Sequence, residues 1–245
     1  MIFYFTSDAD KSSVETIQQA AELGLISNLL SIVCRFIFQP LEEIAFNLFS
    51  KLKGQENQEE QAVDILVQYL AGMCGIGVCG IIFSQVCSYE FILLVYSQQW
   101  ATPSAVRIMK AYCVYLLGMS MNGMSEAFAY GMASKPVLTQ LQGLMVFNSA
   151  LYIALVIAFS SKFGIVGLVI ANCVNMLIRA VMSLKISLDS RNEGNSNPIT
   201  LLQLTLRILS NKFFVGLVAL GAVATPIAKF ALTHILVNVL KRELH

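Results

Sequence analysis

With 245 residues, 56% of them hydrophobic and 13% charged, and a mean hydropathy of +0.69, the chain lies far from the about 25% charged residues of a soluble domain. Its formal net charge of +1 supplies no global field to select nucleic acid or an acidic macromolecule, so no nucleic-acid partner is expected. The apolar residues come in long runs separated by short charged interruptions, the pattern of an all-α membrane protein, a multi-span helical bundle.

The first residues, Met1 to Phe5 followed by Asp8, Asp10 and Lys11, lack the basic region, apolar core and small-residue cleavage site of a signal peptide. Insertion is therefore expected to be driven by the first internal span. A bilayer core about 30 Å thick requires about 20 apolar helical residues, and six stretches qualify: 23–49, 63–86, 109–133, 137–160, 164–187 and 212–238. Between them, Lys51 to Asp64, Ser97 to Ser104 with Pro103, Lys135-Pro136, Ser161-Lys162 and Asp189 to Thr200 read as turns or surface loops. The connections at Lys135-Pro136 and Ser161-Lys162 are too short to cross a bundle, so the third, fourth and fifth spans are expected to form an antiparallel meander. The polar run Arg191 to Pro198 reads as mobile. The chain thus divides into an amino-terminal segment (1–22), a bundle of about five spans (23–188), a polar loop (189–211) and a last span with its tail (212–245). Lys and Arg are spread almost evenly over alternate loops, so charge bias sets no orientation.

The six cysteines, at 34, 74, 79, 87, 113 and 173, lie in or beside apolar runs without paired C-x-x-C spacing or nearby histidines. They read as buried thiols, and no metal site is expected. Nucleotide-loop and hydrolase signatures are missing too: the Gly72, Gly75, Gly77, Gly80 series is glycine inside an apolar helix. No catalytic residues and no cofactor are expected, and the chain does not read as an enzyme.

Polar side chains inside the spans carry the functional signal. In the first span Asn28, Ser31, Arg35, Gln39 and Glu42 recur at spacings of three and four and share one helical face, with Glu43 adjacent. An arginine near the middle of a span costs about 2.5–3.5 kcal/mol on insertion scales, so the stripe should face protein or a water-filled cavity. Two readings stand for Arg35: it meets an anionic head group or mobile carboxylate, or it forms a static pair with a neighbouring glutamate. Pro40 within the stripe lacks an N–H and presses on the carbonyl of Phe36, which predicts a kink or helix end. The third span aligns Tyr115, Gly118, Asn122, Ser125, Glu126 and Ala129, with the small and amide residues suited to helix packing. The fifth aligns Asn172, Asn175, Arg179 and Ser183, and Arg179 either faces a cavity or snorkels to the head groups. In the last span Lys229 reads as a snorkelling cation, His234 as a helix-end residue, and Lys241 and Arg242 as interfacial anchors.

The run Cys34-Arg-Phe-Ile-Phe-Gln-Pro-Leu-Glu-Glu43 resembles a signature of the Rft family, proteins of the endoplasmic reticulum implicated in translocating dolichyl-diphosphate oligosaccharide. Three further segments are similar to landmarks of that family in order and spacing: Ala111 to Tyr115, Asn122-Gly-Met-Ser-Glu126 with Met132 to Lys135, and Gly167 to Arg179. The resemblance covers roughly residues 23 to 188 and implies one lobe, the carboxy-terminal half, of a two-lobed exporter of the multidrug/oligosaccharidyl-lipid/polysaccharide kind. It implies a multi-pass protein of the endoplasmic reticulum membrane that flips a dolichol-linked oligosaccharide in support of N-glycosylation. Its partners would be that glycolipid, membrane lipids and the glycosylation machinery. Carried over residue by residue, the substrate-binding candidates are Arg35, Gln39, Glu42, Glu43, Asn122, Glu126, Asn172, Asn175 and Arg179. The alternative is a non-transporting accessory factor of the same pathway, whose polar stripes are static packing networks.

Overall fold

The computed structural model describes the backbone of residues 8–53, 59–192 and 199–243, with side chains for 15–53, 60–192 and 199–237. The segment expected to be mobile lies, from 193 to 198, outside the described residues, as do the amino-terminal residues 1–7 and the side chains of Lys241 and Arg242. The described chain is helical with no strand.

Helix α1 (Asp8–Val33) runs through a π turn (Cys34–Phe38) into α2 (Gln39–Leu52). The expected disturbance at Pro40 takes the form of this wide turn. Proline at the second position of α2 cannot donate and crowds the turn before it, and the backbone answers by bonding Gln39 N–H to the Cys34 carbonyl, five residues back. Helix α3 (Glu59–Tyr96) is 38 residues long, about 57 Å at 1.5 Å per residue, so it overshoots the expected 63–86 span and projects beyond a bilayer core. Ser97, at φ 80°, ends it. A short 3-10 turn leads to α4 (Pro103–Met132), which opens with Pro103 in its first turn and the Thr102 hydroxyl accepting from Ala105 N–H at 3.0 Å.

The segment α5 (Lys135–Asn192) consists of two arms broken at Gly164, whose φ of 59° and ψ of −137° no other residue type adopts readily. Two contacts show that the chain reverses there. Asn148 bonds Asn175 across the arms, and Gly167 lies against the Phe159 carbonyl so closely that a Cβ would collide with it. The turn expected at Ser161-Lys162 is thus realised two to three residues later, where glycine permits it. The second arm continues to Asn192, past the expected loop start at Asp189, and the Asn192 amide exchanges two 3.0 Å hydrogen bonds with the Ile199 backbone.

A short helix not expected from sequence, α6 (Leu201–Leu209), follows within the stretch read as polar loop. Thr200 and Gln203 form a capping box at its start. Helix α7 (Lys212–Glu243) then packs along α3. Phe213 meets Gly72, Leu217 meets Gly75, Gly221 meets Cys79, the Cys87 thiol points at the Thr225 carbonyl and Lys229 reaches Glu90. Positions advance together on both helices, so they run parallel, and glycine and cysteine allow the close approach.

Four helical stretches are long and apolar enough to cross a membrane: Glu15–Leu52, Glu60–Tyr96, Lys135–Asn192 and Lys212–Val237. They contain five of the six expected spans, two of them in the arms of α5. The sixth, in α4, is too polar to qualify. The reason is its position: α4 packs against α1, α2, α3 and α5, so its Asn, Ser and Glu side chains meet protein. The core clusters around it, with Phe128 of α4 edge-on to Phe49 of α2 at 5.1 Å and 87°, and Gly131 giving passage to the α2 backbone at Phe46 and Ser50.

Candidate functional site

Polar residues of the third and fifth expected spans converge. Helix α4 and the second arm of α5 run parallel, since Gly118 sits beside Cys173 and Met176 while Glu126, two turns on, meets Arg179. Arg179 donates to a single oxygen, Glu126 Oε1, through Nη2 at 2.7 Å and Nε at 3.0 Å. The side chains keep 28% and 20% exposure, so the pair is largely removed from solvent. Arg179 is thereby engaged with protein through Glu126.

One turn before Glu126, Gly123 makes room for a third charged group. A Cβ at this position would coincide with the Glu42 carboxylate, so α2 delivers Glu42 to within a helical turn of the ion pair. The static pair of Arg35 with a neighbouring glutamate considered from sequence is not formed: among the described residues Arg35 has no ion-pair partner, and its side chain is exposed. The first stripe instead divides. Glu42 turns toward α4, while Arg35, Gln39 and Glu43, spaced four apart, remain on an open face where Gln39 Nε2 donates to Glu43 Oε1 at 3.2 Å. The π turn inserts an extra residue between Arg35 and the later members of the stripe, Gln39, Glu42 and Glu43, which all lie in α2.

A second polar contact lies beside Arg179. Asn148 Nδ2 donates to Asn175 Oδ1 at 2.7 Å, with both residues buried, and a cavity of about 10 Å³ lies between Asn148, Arg179 and Ser183, about the volume that admits one water. Buried acceptors at Asn148 Oδ1 and Asn122 Oδ1 have no protein donor. Asn172 stays outside this seam, its amide donating to the Leu168 carbonyl of its own helix at 3.1 Å. Of the nine candidate residues, then, Glu42, Asn122, Glu126, Asn175 and Arg179 belong to the packed seam or its edge, Arg35, Gln39 and Glu43 form the open face, and Asn172 joins neither.

Sequence reasoning missed Asn148, whose signal is an amide alone in an apolar run; its partner is 27 positions away. It also missed Glu22, 1% exposed, which accepts from the Thr102 hydroxyl at 2.7 Å and, with Tyr96 O–H donating to the Leu25 carbonyl at 3.1 Å, ties α1 to the α3–α4 connection. Lys229, read as a snorkelling cation, lies half-exposed 3.8 Å from Glu90 on α3. His234 stacks on Phe230.

A family model described as Rft protein matches residues 11–242. The chain belongs to the Rft family. Relatives named "Man(5)GlcNAc(2)-PP-dolichol translocation protein RFT1" are similar to it: that of Mus musculus is 28% identical over 189 residues, 74% of this chain and 35% of the relative. That of Drosophila melanogaster is 26% identical over 181 residues, 70% and 33%, and that of Saccharomyces cerevisiae 24% over 188, 72% and 32%. The chain thus spans about a third of the length of the curated relatives it matches. No solved structure matches it. In this Rft protein the segment Cys34 to Glu43 that resembles the family signature coincides with the π turn and the start of α2, which places Arg35 on the open face and Glu42 at the seam.

Proposed function

We propose that this chain forms part of a path by which a dolichyl-diphosphate-linked oligosaccharide crosses the endoplasmic reticulum membrane in support of protein N-glycosylation. The observation that carries the reading is the open face of Arg35, Gln39 and Glu43 within an otherwise apolar candidate span. An arginine without a protein counter-ion there is free to bind an anion, and a diphosphate supplies one through charge-assisted hydrogen bonds. Gln39 and Glu43 are suited to sugar hydroxyls, while the polyprenyl tail stays in lipid. The bundle of residues 23–188 would be the working unit, with Glu42, Asn122, Glu126, Asn172, Asn175 and Arg179 as further substrate-side candidates. The reading is tested by Arg35→Ala in cells that depend on this protein. Hypoglycosylation of reporter glycoproteins with accumulation of the oligosaccharide lipid is expected; unchanged glycosylation refutes a role for Arg35.

A second reading has its own observation. Glu126 with Arg179 and Asn148 with Asn175 already bond across the helices, as expected of an accessory factor whose polar residues serve packing. Reconstitution separates the two: a transporter speeds movement of the oligosaccharide lipid across protein-containing vesicles, and an accessory factor does not.

A further inference from the structure

A groove of about 680 Å³ opens between α2, α3 and the start of α7. Its floor follows α3 for about 10 Å, from Tyr69 through Gly72 and Met73 to Ile76, with Leu41 on one side and Phe213 on the other. Gly72 gives the floor its depth, because a Cβ there would lie 3.2 Å from the Phe213 ring. The walls are apolar, and the polar groups gather at the α7 end: Gln68, Asn211 and Lys212.

Lys212 is the one charged residue lining this groove, and it has no ion-pair partner among the described residues. It also stands at the first position of α7, whose first turn holds no acidic residue, so its charge adds to the positive end of the helix dipole. Lys212 opens the last apolar candidate span, Lys212–Val237, so the rim belongs at a membrane surface and the trough points into hydrocarbon. An apolar trough entered from a cationic rim at that level matches a lipid with one chain in the trough and its phosphate at the rim. The unpaired charge of Lys212 matches the net negative charge of an anionic phospholipid, which zwitterionic phosphatidylcholine lacks.

We infer that this groove holds one acyl chain of an anionic glycerophospholipid of the surrounding bilayer, with the phosphate at Lys212. This site is separate from the open face of Arg35 and does not depend on the translocation reading.

The test places a reporter in the wall. The full chain carrying Trp100→Phe and Phe213→Trp is put into phosphatidylcholine nanodiscs doped with chain-brominated phosphatidylglycerol or chain-brominated phosphatidylcholine, and tryptophan quenching is measured. Half-maximal quenching is expected at a several-fold lower mole fraction of the brominated phosphatidylglycerol. Lys212→Glu in the same background should abolish that preference, and Ile76→Phe, which fills the trough, should weaken quenching by both lipids. Equal quenching by the two lipids, or a preference that survives Lys212→Glu, overturns the proposal. Displacement of the brominated phosphatidylglycerol by an equal mole fraction of dolichyl phosphate, or a second copy cross-linked through residue 213, overturns the choice of occupant. If the reporter variant does not fold, lipids retained by the unaltered chain and by Lys212→Glu are compared by mass spectrometry. At least threefold less phosphatidylglycerol on the variant is expected, and equal retention refutes the site.

Discussion

Replacing Arg179 by methionine keeps an apolar side chain of similar reach and removes the charge, which leaves the Glu126 carboxylate among helices without its partner. Unit charges 2.7 Å apart attract by about 6 kcal/mol at an effective dielectric of about 20. Desolvation of both ions offsets much of that, and breaking a buried pair from one side costs about 3–5 kcal/mol. With the side chains 28% and 20% exposed, solvent screens part of the loss and about 2–4 kcal/mol is expected. Glu126→Met should cost less, because Arg179 is long enough to reach water. The double variant should recover most of the loss, since both buried charges are then gone, giving a coupling of about 2 kcal/mol in the double-mutant cycle. Unfolding of the purified chain in mixed micelles, followed by helical circular dichroism against a denaturing detergent, supplies the four values. Single losses below about 0.5 kcal/mol with additive effects would refute an ion pair that holds α4 to α5.

Three further outcomes follow from the packing. Asn148→Leu leaves the Asn175 amide without its partner and should cost about 1–3 kcal/mol, whereas Asn148→Leu with Asn175→Leu should recover much of it, measured in the same micelles. Gly131→Ala drives a methyl to 2.7 Å from Phe49 Cβ and 3.3 Å from the Phe46 carbonyl, and the α2 backbone yields less easily than a side chain. A loss of about 1–3 kcal/mol and a lower thermal midpoint are expected. Lys229→Met should change stability by less than about 1 kcal/mol, because the contact to Glu90 is 3.8 Å long and Lys229 is half-exposed.

Much of the helical layout was legible because membrane spans announce themselves locally, by about 20 apolar residues and by the Pro, Gly and charged interruptions between them. The break at Gly164, the start at Pro103 and the disturbance before Pro40 all follow from single residues. Boundaries were less legible: α1 and α3 extend well past their apolar stretches, because helix propensity and contact with neighbouring helices continue where lipid need not. Helix α6 was hidden in a run taken for loop, although Thr200 and Gln203 have the capping-box spacing that marks a helix start. Within the candidate site, periodicity grouped polar residues by helix face but could not choose their partners. Pairing of Glu126 with Arg179, and of Asn148 with Asn175, depends on how the helices register against one another. The stripe on the first helix was read with a uniform period, and the π turn at Cys34–Phe38 breaks that period between Arg35 and Glu42.

The division between the packed seam and the open face separates stability from function in a way that can be tested. Residues on the seam side are joined in pairs, Glu126 with Arg179 and Asn148 with Asn175, so their loss should register first as unfolding. Among the described residues Arg35 and Glu43 make no ion pair or hydrogen bond across the bundle, so Arg35→Ala should leave the unfolding free energy within about 0.5 kcal/mol of the parent while glycosylation falls. Glu42 is the informative intermediate, because its carboxylate fills the notch at Gly123. Gly123→Ala must push that carboxylate out of the notch, and a side-chain end moves at small cost. If the notch serves translocation, Gly123→Ala should impair glycosylation with little loss of stability, and Glu42→Ala combined with Gly123→Ala should be no worse than Glu42→Ala alone. If both variants destabilise the micellar protein in proportion to the lost glycosylation, Glu42 belongs to the packing of α2 on α4, and the working surface is confined to the face of Arg35, Gln39 and Glu43.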